Sequence, residues 1–276
     1  MRAGSLKASW MCALLMMTCL AGCLGGGGDG DGDNPISMNV HYDATSGVIT
    51  ERIQDGTVLS TVGVELSFDF ARVTSKAGSM KTFSLDPGDD DEGINTVTEN
   101  ANEQAELAYT YLTHGLFTVV LSATDESNNT GSMEITVRIE KEIDWVQTNT
   151  NDPDRMIIST VPDCTCEHPE KISINSTVEN PTDLLPNTQT TVTWSLLDPE
   201  ENTEAFHTEQ IGDGQEAAWT HNQYNVGSGN WALDVQIDAG NDSLNVQHLV
   251  TVLYAASESE PNPLDTASVE REDESV

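Results

Sequence analysis

The sequence predicts an all-β protein, and two observations carry this prediction. Apolar and polar residues alternate strictly in three stretches, which begin at Val64, Phe117 and Met133. Such alternation is typical of half-buried antiparallel strands, with one side packed and the other in water. The segment from Asp125 to Asn129 separates two of these stretches and has the composition of a hairpin turn. Because no comparable run after Cys23 has a helical period, β-sandwiches are the simplest architecture.

The first 22 residues have the layout of a lipoprotein signal peptide. Arg2 and Lys7 precede an uncharged, mostly apolar stretch over residues 8–20, which is too short to span a bilayer. Residues 20–23, Leu-Ala-Gly-Cys, resemble the lipobox of bacterial and archaeal lipoproteins. The resemblance implies cleavage before Cys23, lipid on its thiol, and a protein that faces the extracellular or periplasmic side of the cell membrane. An ordinary signal peptide with a chance cysteine is the alternative.

The charge balance is strongly acidic. Residues 1–22 contain two basic residues and no acidic one, so the chain from Cys23 onward carries nine basic residues against 46 acidic ones, a formal net charge of −37. This charge argues against binding of nucleic acid, whose phosphates need Lys and Arg, and against membrane binding through a cluster of basic residues on anionic lipid. The balance resembles that of proteins adapted to high salt, where screening weakens self-repulsion. An ordinary acidic secreted protein is the alternative.

Composition also predicts the domain organisation. Residues 23–35 are rich in Gly and Asp and are predicted to form a flexible linker behind the lipidated cysteine. Residues 256–276 are rich in Glu, Ser and Pro and are predicted to be an acidic, disordered tail. The residues between them suffice for two small domains, predicted at 36–140 and 142–255, with a short connector over 141–148.

Several motifs between residues 64 and 139 follow one another in a fixed order. Residues 83–90 read Phe-Ser-Leu-Asp-Pro-Gly-Asp-Asp, residues 109–111 read Tyr-Thr-Tyr, residues 115–119 read Gly-Leu-Phe-Thr-Val, and a hairpin follows at Asp125. In this order and spacing, the segment resembles a PKD domain, an immunoglobulin-like β-sandwich of extracellular proteins. The resemblance implies such a sandwich and a non-catalytic binding role. The sequence departs from the family pattern at Leu85, Pro87 and Asp90.

The second half of the chain echoes these motifs. Three segments recur in the same order: 83–87 as 194–199, 108–111 as 218–221, and 115–121 as 229–235. Repetition in the same order predicts a second, diverged immunoglobulin-like sandwich over residues 142–255. Its core is predicted to contain eight apolar residues: Ile172, Ile174, Val192, Trp194, Trp231, Leu233, Val235 and Ile237.

After cleavage of the signal peptide and lipidation of Cys23, Cys164 and Cys166 are the two cysteines that carry no lipid. In an oxidising compartment, a local disulfide between them is the leading interpretation. Closing so small a ring removes little chain entropy, so the bond would shape a loop and add little stability. A zinc or copper site with His168 is an alternative, although no fourth ligand lies nearby in the sequence, and free thiols are another.

An acidic turn over residues 86–92 is a weak candidate for a calcium site. Carboxylate oxygens suit a hard cation, and the candidate ligands are Asp86, Asp89 and Asp91. A solvated turn in a protein that is acidic throughout is the favoured interpretation. We therefore predict no bound metal and no other cofactor.

Asparagine sequons and histidines carry weaker signals. Three asparagines begin Asn-x-Ser/Thr sequons and are candidate glycosylation sites: Asn128, Asn175 and Asn241. Four histidines stand in strand or turn contexts where a solvated imidazole is expected: His41, His114, His207 and His221. His248 falls within the last predicted strand, where it could face either the core or the solvent.

Two classes of function remain. The first is a non-catalytic surface module, anchored to the membrane by lipid, that acts as a spacer or binds a surface polysaccharide or an envelope protein. The second is an enzyme or a solute-binding receptor with a site built from loops, or an accessory subunit of an extracellular enzyme or transporter. The first is favoured because two small sandwiches use the whole chain and the sequence contains none of the common catalytic motifs. Aromatic residues in a row on one sheet face would favour carbohydrate binding, and a deep pocket with histidines and carboxylates would favour the second class.

Overall fold

The computed structural model describes residues 34–89, 93–182, 189–240 and 243–264. The regular secondary structure within these ranges consists of β-strands, which confirms the predicted all-β class. The strands are β1 Ile36–Ser37, β2 Ser46–Gln54, β3 Thr57–Val62, β4 Val64–Asp69, β5 Thr74–Ser75, β6 Met80–Asp86, β7 Val97–Asn100, β8 Glu106–Tyr111, β9 Gly115–Asp125, β10 Thr130–Thr150, β11 Met156–Ser159, β12 Lys171–Asn180, β13 Thr190–Leu197, β14 Thr203–Ile211, β15 Gln215–Tyr224, β16 Asn230–Ala239 and β17 Leu244–Leu253.

The first core lies in the amino-terminal half, between the strand pair β4–β8 and the run β10–β9–β6–β7. The predicted alternation is confirmed here, because Leu66 and Phe68 of β4 are buried whereas Glu65 and Ser67 between them are exposed. Phe117 and its alternate neighbours on β9 meet them from the other sheet. Burial of these apolar faces on both sheets is the main source of stability for this half.

The second core lies in the carboxy-terminal half, between the run β15–β12–β17–β10 and the run β11–β16–β13–β14. Seven of the eight predicted core residues are buried in it, and Ile237 is half-buried against it. Around the repeated motifs the strands pair as in the first half, since β13 lies between β14 and β16 as β6 lies between β7 and β9. The last strand differs, because β10 pairs with β9 whereas β17 pairs with β12.

Strand β10 takes part in the sheets of both halves. It pairs with β9 through Ile139, with β17 from Lys141 onward, and with the parallel strand β2 over Arg138–Val146. The predicted connector over residues 141–148 is therefore not a loop. Its residues keep the strand alternation, with Ile143 and Trp145 buried in the second core. Whether the two cores behave as separate domains stays a prediction.

The carboxy-terminal tail differs from the prediction over its described part. The two terminal nitrogens of the Arg138 guanidinium contact Glu140 and Glu258, and its Nε donates to Glu258 at 2.8 Å. The backbone N–H of Ser259 donates to the Thr136 carbonyl oxygen at 2.9 Å. Glu258 and Ser259 are thus held against β10 by bidentate ion pairing and hydrogen bonds. Asn262 exchanges backbone hydrogen bonds with Tyr42, so this part of the predicted tail is bonded to the folded chain. Residues 265–276 lie outside the described residues.

Candidate functional site

The lipid anchor and part of the other predicted sites fall outside the described residues. Residues 1–33, with Cys23, are among these, and so are Asp91 of the acidic turn and Asn241 of the third sequon. The described residues contain no helix of sufficient length and hydropathy to cross a membrane. Of the remaining sequons, Asn128 is exposed at the tip of the β9–β10 hairpin and Asn175 is exposed on β12.

The described carboxylates of the acidic turn accept hydrogen bonds from neighbouring residues of the β6–β7 connection and from β8. Asp86 accepts the Gly88 N–H at 3.1 Å, and Asp89 accepts the Asn95 side-chain amide at 3.0 Å as well as the hydroxyl of Tyr109. Across the described ranges, no group of three or more His, Cys, Asp or Glu residues has an arrangement that could hold a metal ion. The geometry of this turn is that of a hydrogen-bonded connection between β6 and β7.

Cys164 and Cys166 form a disulfide with a Cα–Cα distance of 5.2 Å. Its loop packs on the turn between β8 and β9 of the first half. Gly115 lies so close that a Cβ there would be 2.7 Å from the Cys164 sulfur, and the Asp163 N–H points to the His114 carbonyl oxygen at 3.4 Å. We call this contact between residues 114–116 and 163–164 the junction. The disulfide therefore shapes a loop that covers one end of the first half.

The prediction of a solvated imidazole is wrong for His114 and His41. His114 is buried at the junction, where its Nδ1 lies 2.7 Å from the Tyr254 hydroxyl, and burial together with the charge of Lys141 lowers its pKa to about 4. His41 is also buried, and its Nδ1 lies 3.2 Å from the Asn262 carbonyl oxygen. Both side chains are covered because segments distant in the sequence fold over them, which local strand context does not reveal.

His248 faces the second core. Its Nδ1 lies 2.7 Å from the Ser176 hydroxyl, which accepts the indole N–H of Trp194 at 2.8 Å. Its ring stacks on Trp145 with a centroid distance of 4.8 Å. Burial lowers the pKa of His248 to about 3, so the imidazole is neutral at pH 7. A serine and a histidine so deeply buried cannot meet a substrate, and this network satisfies polar groups within the core.

A cleft of about 300 Å³ opens at one end of the second half. The turn between β13 and β14 forms one wall, and the end of β15 with its loop to β16 forms the other. We call it the Tyr224 cleft, and its lining includes six residues with charged, amide or aromatic side chains: Asp198, Glu200, Glu204, Tyr224, Asn225 and Trp231. Tyr224 is 53% exposed, whereas Trp231 is buried at the rear. The cleft thus combines an accessible aromatic ring with carboxylate and amide groups.

The loop that carries one wall of the cleft is held from inside. The Thr160 hydroxyl, which is fully buried, lies 2.8 Å from the Gly227 carbonyl oxygen and 3.0 Å from that of Gly229. The Trp231 indole N–H also donates to the Gly227 carbonyl oxygen, at 3.1 Å. Asn225 has a positive φ of 56°, a conformation that asparagine tolerates in turns. Internal bonds therefore fix the shape of the loop, which lowers the entropy cost of binding a ligand.

The facing turn is organised by Asp198. Its carboxylate accepts the backbone N–H groups of Glu200 at 3.0 Å and Asn202 at 2.7 Å, and the side-chain amide of Asn202 at 2.9 Å. The Asn202 side chain is the main cause that lowers the pKa of Asp198, so this carboxylate stays ionised. Both walls of the Tyr224 cleft are thus fixed by hydrogen bonds, and one of them carries a negative charge at neutral pH.

Tyr224 is not among the site residues predicted from the sequence. Among the described aromatic residues, more than half of the surface is exposed in Phe206 and Tyr224. They lie on different strands, β14 and β15. No row of exposed aromatics is therefore present on a sheet face within the described residues. The one sequence signal was a tyrosine directly before the glycine-rich loop Asn-Val-Gly-Ser-Gly, which is weak without the facing turn.

Comparison with known proteins gives only distant structural similarity. No protein-family model and no curated protein matches the sequence. Among solved structures, carbohydrate-binding modules of the β-sandwich superfamily match with 11% identity and a TM-score of 0.29 over 79% of this chain and 97% of theirs. A Clostridium perfringens ZmpB structure, comprising CBM51-2 in complex with GlcNAc and INT domains, matches with 13% identity and a TM-score of 0.21 over 76% of this chain and 48% of that chain. Tripeptidyl peptidase 2 matches with 13% identity and a TM-score of 0.26 over 79% and 20%. Scores this low say nothing about ligand or activity.

Proposed function

We propose that this chain is a non-catalytic surface lipoprotein, anchored through Cys23, that binds a polysaccharide of the cell envelope in the Tyr224 cleft. The observation that supports the proposal most is the pairing of a half-exposed tyrosine with fixed carboxylate and amide groups in an open cleft. A sugar ring offers an apolar C–H face that packs on an aromatic ring, and hydroxyl groups that donate to carboxylates and amide oxygens. The cleft presents a partner for each.

The rest of the chain suits a tethered binding module. The lipobox-like residues 20–23 and the Gly- and Asp-rich linker up to residue 35 would attach the folded part to the outer face of a membrane. The PKD-like motifs of residues 64–139 are typical of extracellular proteins that bind without catalysis. The disulfide between Cys164 and Cys166 is compatible with an oxidising compartment.

A solute-binding receptor is the second candidate, and one observation favours it. A cleft of about 220 Å³ is lined by His41 together with Asp43, Asp69 and Glu106. This resembles the histidine and carboxylate pocket that a receptor would need. However, the His41 Nε2 is buried without a hydrogen-bond partner, so a solute reaches it only if neighbouring groups move. We therefore place polysaccharide binding first.

Binding of the purified mature chain to isolated cell envelope and to a panel of oligosaccharides, in molar potassium chloride, tests the proposal. Tyr224→Ala should reduce binding at least tenfold, because it removes the stacking surface. Phe206→Ala, which removes another exposed aromatic outside the cleft, is the matched control and should leave binding unchanged. Equal binding by wild type and Tyr224→Ala would contradict the proposed site. Separately, Cys23→Ser should abolish partition into detergent if the anchor is the lipid on this cysteine.

A further inference from the structure

The charged side chains of the Tyr224 cleft restrict its ligands further than its shape does. The charged side chains that line it are all carboxylates, namely Asp198, Glu200 and Glu204. Asp198 stays ionised because its turn stabilises the carboxylate, and the carboxylate-bearing residues Glu200 and Glu204 are exposed. A ligand in this cleft therefore meets negative charge on the wall opposite the tyrosine ring.

Cationic groups of the protein itself already gather around the cleft. Lys171 lies directly opposite Tyr224 on the neighbouring strand, and its ammonium nitrogen is 6.0 Å from the centroid of the tyrosine ring. This distance is typical of a cation–π contact. At the facing turn, the Arg155 guanidinium donates to Glu201 at 2.7 Å. Neither cation is among the lining residues of the cleft, whose charged side chains remain the three carboxylates.

We infer that the Tyr224 cleft selects glycans that carry free amino groups over glycans that carry carboxylate groups. This inference rests on the proposed function. A protonated amino sugar donates charge-assisted hydrogen bonds to Glu200 and Glu204, which are shorter and stronger than neutral ones. A uronic acid places its own carboxylate next to three others, and such juxtaposition of like charges excludes a ligand.

The preference operates at contact distance. At 1 M salt the Debye length is about 3 Å, so long-range repulsion from the acidic surface is screened while groups in direct contact still interact. The selectivity should therefore survive in molar potassium chloride, where the overall net charge of the chain has little influence on ligand binding.

Calorimetric titration of the mature chain with three β-1,4-linked pentasaccharides, built from glucosamine, glucose or mannuronic acid, tests the inference. We expect the glucosamine oligomer to bind at least tenfold more tightly than the glucose oligomer, and the mannuronate oligomer not to bind. The double variant E200Q/E204Q should reduce the preference for glucosamine over glucose to less than about threefold, because each glutamine keeps an oxygen acceptor and loses the charge. Glu209→Gln on the same strand, outside the cleft, should leave all three affinities unchanged.

The outcomes separate the two proposals. Mannuronate binding that equals glucosamine binding, or an unchanged preference in E200Q/E204Q, would overturn the charge selection while Tyr224-dependent binding of glucose still supports a glycan site. Absence of binding for all three oligomers, together with Tyr224-independent binding to isolated envelope, would overturn the glycan site itself and with it the inference.

Discussion

The two halves of the chain present the same end of their strands to different surroundings. In the first half the turn from β8 to β9 is covered at the junction, where His114 is buried and Gly115 touches the disulfide loop. In the second half the equivalent connection, from β15 to β16, is open and forms one wall of the Tyr224 cleft. The same local arrangement therefore serves internal packing in one half and leaves a binding surface in the other.

The last strands explain why the second half can differ. β10 stays beside β9 in the first half and then continues into the sheet of the second half. β17 instead crosses to pair with β12, and β11 occupies the place beside β16. Thr160, which follows β11 directly, anchors the loop of the cleft. Because the strand order differs, the Thr160 hydroxyl lies next to the β15–β16 loop and fixes its shape.

Trp194→Ala should have the largest effect. Truncation of this fully buried indole removes core contacts and the hydrogen bond to Ser176, at a cost of about 3–5 kcal/mol. Phe83→Ala, at the equivalent position in the first core, is the matched variant. Each variant should lower the stability of its own half, so that this half unfolds first. Urea unfolding followed by circular dichroism and by limited proteolysis should then show two transitions. A single transition for both variants would show that β10 couples the two cores into one unit.

A drop in pH should weaken both halves through their buried histidines. His114 and His248 have pKa values lowered to about 4 and about 3, below the usual 6.5, so the unfolded chain binds more protons between these values and pH 6.5. Stability is therefore full above pH 6.5 and falls as the pH decreases. At pH 5 the loss should be about 2 kcal/mol for each histidine.

Urea unfolding between pH 7.5 and pH 5 measures this loss. This pH range lies above the ordinary pKa values of carboxylates, so the two histidines dominate the pH dependence of the unfolding free energy. His114→Gln should halve the pH dependence, because it removes the junction histidine and keeps the one in the second core. An unchanged slope in this variant would mean that His114 is not buried as described.

The equivalent glycines of the two halves give the smallest and most selective effects. A Cβ on Gly115 would meet the Cys164 sulfur at 2.7 Å, and one on Gly229 would meet Pro199 at 2.6 Å. Overpacking at either site should cost about 1–3 kcal/mol. Because Pro199 lines the Tyr224 cleft, Gly229→Ala should also weaken ligand binding, whereas Gly115→Ala should not. Thermal unfolding and ligand titration of both variants check this, and equal loss of binding would remove the distinction between the two ends.

The strands of the first half could be predicted from sequence because alternation of apolar and polar residues fixes which side of a strand is buried. Most of the second core, with Trp194 and Trp231, could be predicted because the motifs of the first half recur there in the same order. The sheet that a strand joins could not be predicted, since β10 and β17 alternate in the same manner whichever neighbour they pair with. The burial of His114 and the Tyr224 cleft both depend on segments that meet only after those pairings are set.

Hydrogen exchange with and without a bound oligosaccharide compares the two ends of the strands within one molecule. We expect the ligand to slow amide exchange in residues 198–204 and 223–229 and to leave residues 112–116 and the acidic turn of the first half unchanged. Protection confined to the first half, or absent around Tyr224 at saturating ligand, would contradict binding in the Tyr224 cleft.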